Sequence, residues 1–243
     1  MTEQSIQPPP PWGYWATAGW TVAALVSSMV VGFIAILIGY PEVLTDSTDL
    51  LKNGPLIALT GIISAIVEIA VLALAARLAG WSPADYFAFF MPSGRTLLKA
   101  FAYLIPFVVG YDLVTYLLDK GVVSPFQIDA YKSAKAAGAL VPLWIAFVVA
   151  APVSEEIVFR GFLFRGWVRT PRTVWPGILA VSAFFAALHV QYDVFGIAQV
   201  FLIGLVLGWT RWWSGSTVLT MLMHATINLW ATAQSVVKVE WMS

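Results

Sequence analysis

Long apolar runs separated by short polar connections dominate this sequence and constrain its fold more than any other feature. A helix needs about 20 apolar residues to cross a bilayer, and its backbone polar groups must find partners within the protein. The runs therefore predict an all-α membrane protein, a polytopic bundle of about seven transmembrane helices. The predicted spans cover residues 16–40, 56–78, 97–118, 140–164, 176–190, 196–213 and 216–237. The fifth run is short for a span, and the sixth is marginal.

The composition supports this class of protein. Of the 243 residues, 60% are hydrophobic and 11% are charged, whereas a soluble domain carries roughly a quarter charged residues. The formal net charge of zero offers no concentrated basic surface, so we expect no nucleic-acid partner. The chain contains no cysteine, which excludes disulfides and thiolate chemistry. Residues 1–13 lack lysine and arginine and include the prolines of residues 8–11, so we expect no signal peptide.

The positions of lysine and arginine predict an orientation, because positively charged loops remain in the cytoplasm. One side of the seven predicted spans collects Arg77, Arg95, Lys99, Arg165, Arg169, Arg172 and Arg211. The other side collects Lys52, Lys120, Lys132, Lys135 and Lys238. This bias predicts an integral protein of the cytoplasmic (inner) membrane with its N-terminus inside and its C-terminus outside.

One predicted span contains two adjacent carboxylates and an arginine. Glu155, Glu156 and Arg160 lie within the apolar run of residues 140–164. An ionised group at bilayer depth costs about 2.5 kcal/mol or more, so it needs a partner and usually has a function. Glu156 and Arg160 are four residues apart on one helix face, which is the spacing of an ion pair. Glu155 points about 100° away from Glu156 and has no obvious local partner.

Both histidines of the chain lie in other predicted spans. His189 is near the end of the fifth span, and His224 is in the seventh, with Asn228 on the same helix face. From the helical rise, Glu155 and these three residues lie roughly 12 to 20 Å from the same end of their spans. In a hydrocarbon core of ~30 Å they fall in one central band. They can therefore converge in one cavity that is open to water.

Other polar or small residues at membrane depth have simpler interpretations. We expect Glu68 and Asp112 to pack or to line a cavity. Gly204 and Gly208 are four residues apart, which suits the close approach of two helices. Ser154 has no assigned role.

The chemistry-bearing residues form three motifs in chain order. These are Glu155-Glu156-Ile-Val-Phe-Arg160, Phe185-Ala-Ala-Leu-His189 and His224-Ala-Thr-Ile-Asn228. Together they resemble the CAAX protease and bacteriocin-processing (CPBP, or Abi) family of intramembrane glutamate-dependent peptidases, over about residues 140–237. On this resemblance, residues 1–15 are a polar, Pro-rich tail, residues 16–139 are accessory transmembrane helices and loops, and residues 140–243 are the catalytic core.

The resemblance implies four catalytic residues. Glu155 and His189 would activate a water, because free water is a poor nucleophile near neutral pH. His224 and Asn228 would stabilise the tetrahedral oxyanion, where each aimed donor contributes ~3 kcal/mol.

The resemblance also implies supporting residues and partners. Arg160 would hold Glu156, and Phe185 would pack beneath His189. Membrane lipid and a peptide or protein substrate are the implied partners, with lipidated or membrane-anchored substrates among the candidates. No metal and no cofactor are implied.

Other functions stay open at this point. Two histidines and a carboxylate also form hydrolytic zinc sites, so Glu155, His189 and His224 are alternatively the ligands of a zinc-dependent intramembrane metalloprotease. The His-Glu-x-x-His helix of many zinc peptidases is absent. Intramembrane acids and histidines also build the proton relays of transporters, although the sequence shows no internal repeat. The family resemblance extends to proteins of bacteriocin immunity, which implies a non-catalytic membrane scaffold as a further alternative.

Overall fold

The computed structural model describes residues 12–41 and 49–242, and in these ranges it is a helical bundle without strands. This confirms the predicted all-α class. The predicted tail up to residue 11 and residues 42–48 of the first polar loop lie outside the described residues. The helices are α1 Tyr14–Gly39, α2 Gly54–Leu78, α3 Pro83–Tyr86, α4 Gly94–Leu117, α5 Pro125–Ala136, α6 Leu140–Trp167, α7 Val174–Ala187, α8 Val194–Ser214 and α9 Thr217–Trp241.

Each predicted span corresponds to a helix, but the predicted count of seven transmembrane helices is not confirmed. Among the described residues, five helices are long and apolar enough to cross a membrane, namely α1, α2, α4, α6 and α8. Helix α7 has 14 residues and a length of about 21 Å, which is less than the ~30 Å hydrocarbon core. Helix α9 has 25 residues but carries more polar side chains than the five.

Helix α5 occupies part of the predicted polar connection between the third and fourth spans. Ser124 precedes Pro125 at its first position, where proline is favoured because its missing N–H is not needed. The helix buries Ala130 and Ala134, one turn apart. Gly54 at the start of α2 packs so closely against Ala130 that a side chain at this glycine would collide with the Ala130 carbonyl. The small residues Gly54, Ala130 and Ala134 thus let α5 pack closely against α2.

Helix α9 runs antiparallel to α6 along the whole bundle. The Thr217 hydroxyl, at the start of α9, donates to the Phe87 carbonyl, and Arg165, near the end of α6, donates to the neighbouring Tyr86 carbonyl. Trp167 at the end of α6 in turn donates to the Tyr14 carbonyl at the start of α1. We call this the proximal end of the bundle. At the other, distal end, Glu240 of α9 accepts hydrogen bonds from Lys135 and Tyr131 of α5.

Candidate active site

The two adjacent glutamates lie on α6 between two π-helical turns. The π-helical geometry covers Ala146–Ala150 and Ile157–Leu163, and the α-helical turn Ala151–Glu156 between them carries both carboxylates. Such turns are rare and occur frequently at functional sites. Pro152 explains the first one, because proline has no N–H to donate to the helix. The N–H of Ala151 reaches the carbonyl of Ala146, five residues back.

Asn228 binds the backbone of this irregular region. Its Nδ2 donates to the carbonyl oxygen of Phe147 over 2.8 Å. Phe147 lies five residues before Pro152. In a π-helical turn its carbonyl would accept from the N–H of residue 152, which proline lacks. A primary amide has two N–H donors, and the contact uses one of them. Asn228 therefore ties α9 to α6 and keeps one further N–H.

A buried network surrounds Glu156. Both Glu156 and Arg160 have 0% exposed side chains, and Arg160 Nη1 donates to Glu156 Oε1 over 2.7 Å. Arg160 Nη2 donates to the Gly204 carbonyl of α8 over 3.2 Å. His224 Nδ1 lies 3.0 Å from the same Glu156 Oε1, and since a carboxylate accepts, the Nδ1–H donates. The structure thus contains the predicted ion pair, and it joins α6, α8 and α9.

His224 lies between the two glutamates and presents one ring nitrogen to each. Its Nε2 is 3.7 Å from Glu155 Oε2, and the Glu155 side chain is 27% exposed while that of His224 is 7% exposed. This distance exceeds that of a direct hydrogen bond. Glu155 therefore keeps its carboxylate free for another partner, whereas Glu156 Oε1 accepts from both Arg160 and His224.

His189 lies just beyond α7, in the connection of residues 188–193, rather than inside a helix as predicted. Its Nδ1 is 2.8 Å from the Phe185 carbonyl, so the Nδ1–H donates and the Nε2 of the neutral ring remains an acceptor. The Phe185 ring lies 4.7 Å from the His189 ring and 5.9 Å from the His224 ring, between centroids. The predicted packing of Phe185 against His189 is present, and the phenyl ring contacts both imidazoles.

Tyr192 stacks on His189 and lies near enough to Glu155 to feel its charge, and the motifs did not indicate it. Its ring stacks on that of His189 at 6.0 Å and 17°. Burial, and then the nearby Glu155 carboxylate, raise the pKa of the Tyr192 phenol to about 12. The available sequence signal was a tyrosine three residues after His189, in the polar break Gln191-Tyr192-Asp193 between two apolar runs.

The two remaining acids at membrane depth bind side chains of neighbouring helices. Glu68 accepts a hydrogen bond from Ser28 of α1 over 3.0 Å. It also faces Ser154, so it borders the site. Asp112 of α4 accepts from Trp230 and Gln234 of α9, over 2.8 and 2.7 Å. Both contacts fit the expected packing roles.

The paired glycines of α8 allow the predicted close helix contact. A side chain on Gly204 would come within 2.9 Å of Ser182 on α7, and one on Gly208 within 3.1 Å of Ile178. Helices α7 and α8 therefore form an antiparallel hairpin that carries His189 and Tyr192 at its tip.

Among the described residues, no group of three or more His, Asp or Glu side chains is arranged to hold a metal ion.

Comparison with known proteins finds a family that resembles part of the second half of the chain. Residues 137–230 match the sequence model of a family described as Rce1-like, type II CAAX prenyl endopeptidase Rce1-like. This region is similar to that family. It contains all three motifs, and the match confirms the resemblance that they predicted. With the five apolar helices, it indicates an integral membrane protein.

A relative from Escherichia coli, an uncharacterized 24.3 kDa protein, is 33% identical over 131 residues. The aligned region covers 49% of this chain and 59% of that protein, so the chain spans little more than half the length of this relative. No solved structure matches the chain.

Proposed function

We propose that the protein is an intramembrane endopeptidase that hydrolyses peptide bonds with a water activated by Glu155 and His189. The observation that carries this proposal is the contact among side chains of all three motifs inside one bundle. His224 lies between the two glutamates, and Phe185 packs against both imidazoles. The match of residues 137–230 to an endopeptidase family supports the reaction type.

The proposed base consists of Glu155 and His189. Glu155 is partly exposed, and His224 Nε2 lies 3.7 Å from it, too far for a direct hydrogen bond, so its carboxylate can accept the proton of an attacking water. His189 Nε2 is free to accept from the same water, because Nδ1 is fixed by the Phe185 carbonyl. The water oxygen bonds to the peptide carbonyl carbon, and Glu155 then returns the proton to the leaving amine as the C–N bond breaks.

The proposed oxyanion site consists of His224 and Asn228. In its imidazolium form, His224 donates to Glu156 through Nδ1 and keeps an Nε2–H for the oxyanion. Asn228 has its second amide N–H for the same purpose. Glu156 and Arg160 act on His224 by holding its ring, and we propose residues 140–243 as the catalytic core because they contain every one of these residues.

Peptide hydrolysis by purified variants tests this function. The substrates are a fluorogenic peptide ending in a farnesylated CAAX sequence and the same peptide without the farnesyl group, in detergent or liposomes. We expect Glu155→Gln and His189→Ala to lower kcat by about 10²-fold or more, the scale of general-base catalysis. The matched control is Glu240→Gln, which changes a glutamate at the distal end and should retain the parent rate.

The comparison has clear opposing outcomes. Folded Glu155→Gln and His189→Ala variants that cleave as fast as the parent would show that these residues do not activate the water. A rate that strong chelation abolishes and added Zn²⁺ restores would replace the proposed mechanism with the zinc-dependent one. Cleavage of only the farnesylated peptide would assign the substrate class to prenylated C-termini.

A further inference from the structure

The proposed oxyanion site is short of free donors. His224 directs Nδ1 to Glu156 over 3.0 Å and presents Nε2 to Glu155. Asn228 has already given one amide N–H to the Phe147 carbonyl. Two polar side chains therefore supply at most two N–H groups, and one of these faces a carboxylate. A further donor close to Glu155 and His189 would complete the site.

Tyr192 is held in that position by four contacts. Its ring stacks on that of His189. The Phe126 ring of α5 packs edge-on against it, with 5.9 Å between the ring centroids and 86° between the ring planes. Its backbone N–H donates to the His189 carbonyl over 3.1 Å. Gly196 lies beneath it, where any side chain would come within 2.8 Å of Tyr192 Cβ. The ring is therefore fixed relative to the His189 imidazole.

The Tyr192 hydroxyl has the properties of a hydrogen-bond donor. Its pKa of about 12, raised first by burial and then by Glu155, keeps the phenol protonated at neutral pH. The Gln191 side chain interacts with the phenol oxygen in a way that lowers this pKa, as an N–H donated to that oxygen does. In such an interaction the phenol oxygen accepts, and the phenol keeps its own hydrogen for a further partner.

We propose that Tyr192 is a catalytic residue whose O–H donates to the oxyanion formed when water attacks the scissile peptide bond. This inference rests on the proposed function. The attacking oxygen bonds to the carbonyl carbon and negative charge collects on the carbonyl oxygen, where the phenol donates a hydrogen bond and keeps its proton. When the C–N bond breaks, the charge returns to the carbonyl group and the hydrogen bond weakens. Stacking on His189 keeps the phenol ring of this donor next to the imidazole of the proposed base.

Tyr192→Phe tests the hydroxyl because it preserves the stacked ring. We expect kcat to fall by about 10²- to 10³-fold, as it does when one oxyanion donor is removed. KM should change by less than about twofold, since the contact strengthens only in the transition state. The matched control is Tyr111→Phe, because Tyr111 also packs on an aromatic ring of this region and, among the described residues, its hydroxyl donates to the Phe195 carbonyl. The control should retain the parent kcat.

The outcomes separate this inference from the proposed function. If Tyr192→Phe keeps the parent kcat while Glu155→Gln is inactive, the peptidase assignment stands and the role of Tyr192 is wrong. If the parent cleaves neither peptide, both fail.

A second variant keeps the test decisive if Tyr192→Phe does not fold. Fluorinated tyrosine at position 192 retains the ring and lowers the phenol pKa. Activity should then fall as pH rises through that lowered pKa, where the parent retains activity. An unchanged pH profile would contradict the inference, because a purely structural ring does not respond to ionisation of its hydroxyl.

Discussion

Arg160 lies in the interior of the bundle with its charge balanced by Glu156, and both side chains are 0% exposed. His224 shares the same carboxylate oxygen, so three residues from two helices depend on one another. A buried ion pair adds little net stability, but the loss of one partner leaves an uncompensated charge. Glu156 therefore has a structural role that differs from the catalytic role proposed for its neighbour Glu155.

Single and double substitutions of this pair should affect stability differently. We expect Glu156→Ala or Arg160→Ala to lower the free energy of unfolding by about 3–5 kcal/mol, whereas Glu156→Leu combined with Arg160→Met restores much of it. Urea or thermal unfolding in detergent measures the effect. Lys135→Ala, which breaks a partly exposed pair with Glu240, is the control and should have a much smaller effect. An Arg160→Ala variant as stable as the parent would contradict the buried-charge argument.

The predictable part of the site consists of its local geometry. The spacing of four between Glu156 and Arg160 predicts their contact, because neighbours on one helix face are fixed by the helix itself. The contacts of Asn228 with Phe147 and of Tyr192 with His189 depend on how α6 is distorted and where the α7–α8 hairpin turns. Those features are tertiary, so motif spacing could not predict them.

Among the described helices, α6 departs furthest from regular geometry. Its two π-helical turns lie on either side of Glu155 and Glu156. The run of residues 140–164 predicted one helix, and the structure confirms its extent as Leu140–Trp167. Helix bounds follow from apolar length because the bilayer sets it. The π-helical turns do not follow from apolar length, although Pro152 inside the run indicates a local break. Helix α5 escaped prediction because it is short and polar.

Restoring an N–H at position 152 should regularise α6. In Pro152→Ala, the new N–H can pair with a carbonyl of the preceding turn, and alanine is favoured over proline by about 3 kcal/mol in a helix interior. We expect equal or greater thermal stability, with Glu155 and Glu156 rotated away from His224 and peptidase kcat reduced about tenfold or more. The measurements are thermal unfolding and the fluorogenic assay.

A substitution at another proline distinguishes a change in the register of α6 from a general effect of removing a proline. Pro125→Ala changes the first residue of α5, where the proline N–H is not required, and should leave kcat unchanged. A Pro152→Ala variant with the parent kcat would show that the π-helical turn does not position the glutamates.

At the scale of the whole molecule, the first helix begins and the last helix finishes at opposite ends of the bundle. Helix α1 begins at the proximal end, where its Tyr14 carbonyl meets Trp167, and α9 finishes at the distal end, where Glu240 meets Lys135. The hairpin of α7 and α8 starts and ends at the proximal end. The start of α1 and the end of α9 therefore lie on opposite sides of the membrane whether or not α7 crosses it completely. This arrangement requires only that α9 crosses beside α6.

Labelling of single cysteines tests this arrangement directly, because the chain has no cysteine of its own. With the N-terminus inside, as the lysine and arginine bias predicts, Ala137→Cys and Met242→Cys at the distal end should react with an impermeant maleimide in intact cells. Ser93→Cys and Thr170→Cys at the proximal end should react only after the membrane is permeabilised. All four positions are exposed in the protein, and none of the substitutions removes a charge, so they leave the orientation signal unchanged.

The reverse labelling pattern would show that the orientation is inverted while the bundle spans as described. Equal reactivity of Thr170→Cys and Met242→Cys in intact cells would instead mean that α9 does not cross, and His224 would then lie outside the depth at which a site shared with Glu155 can form.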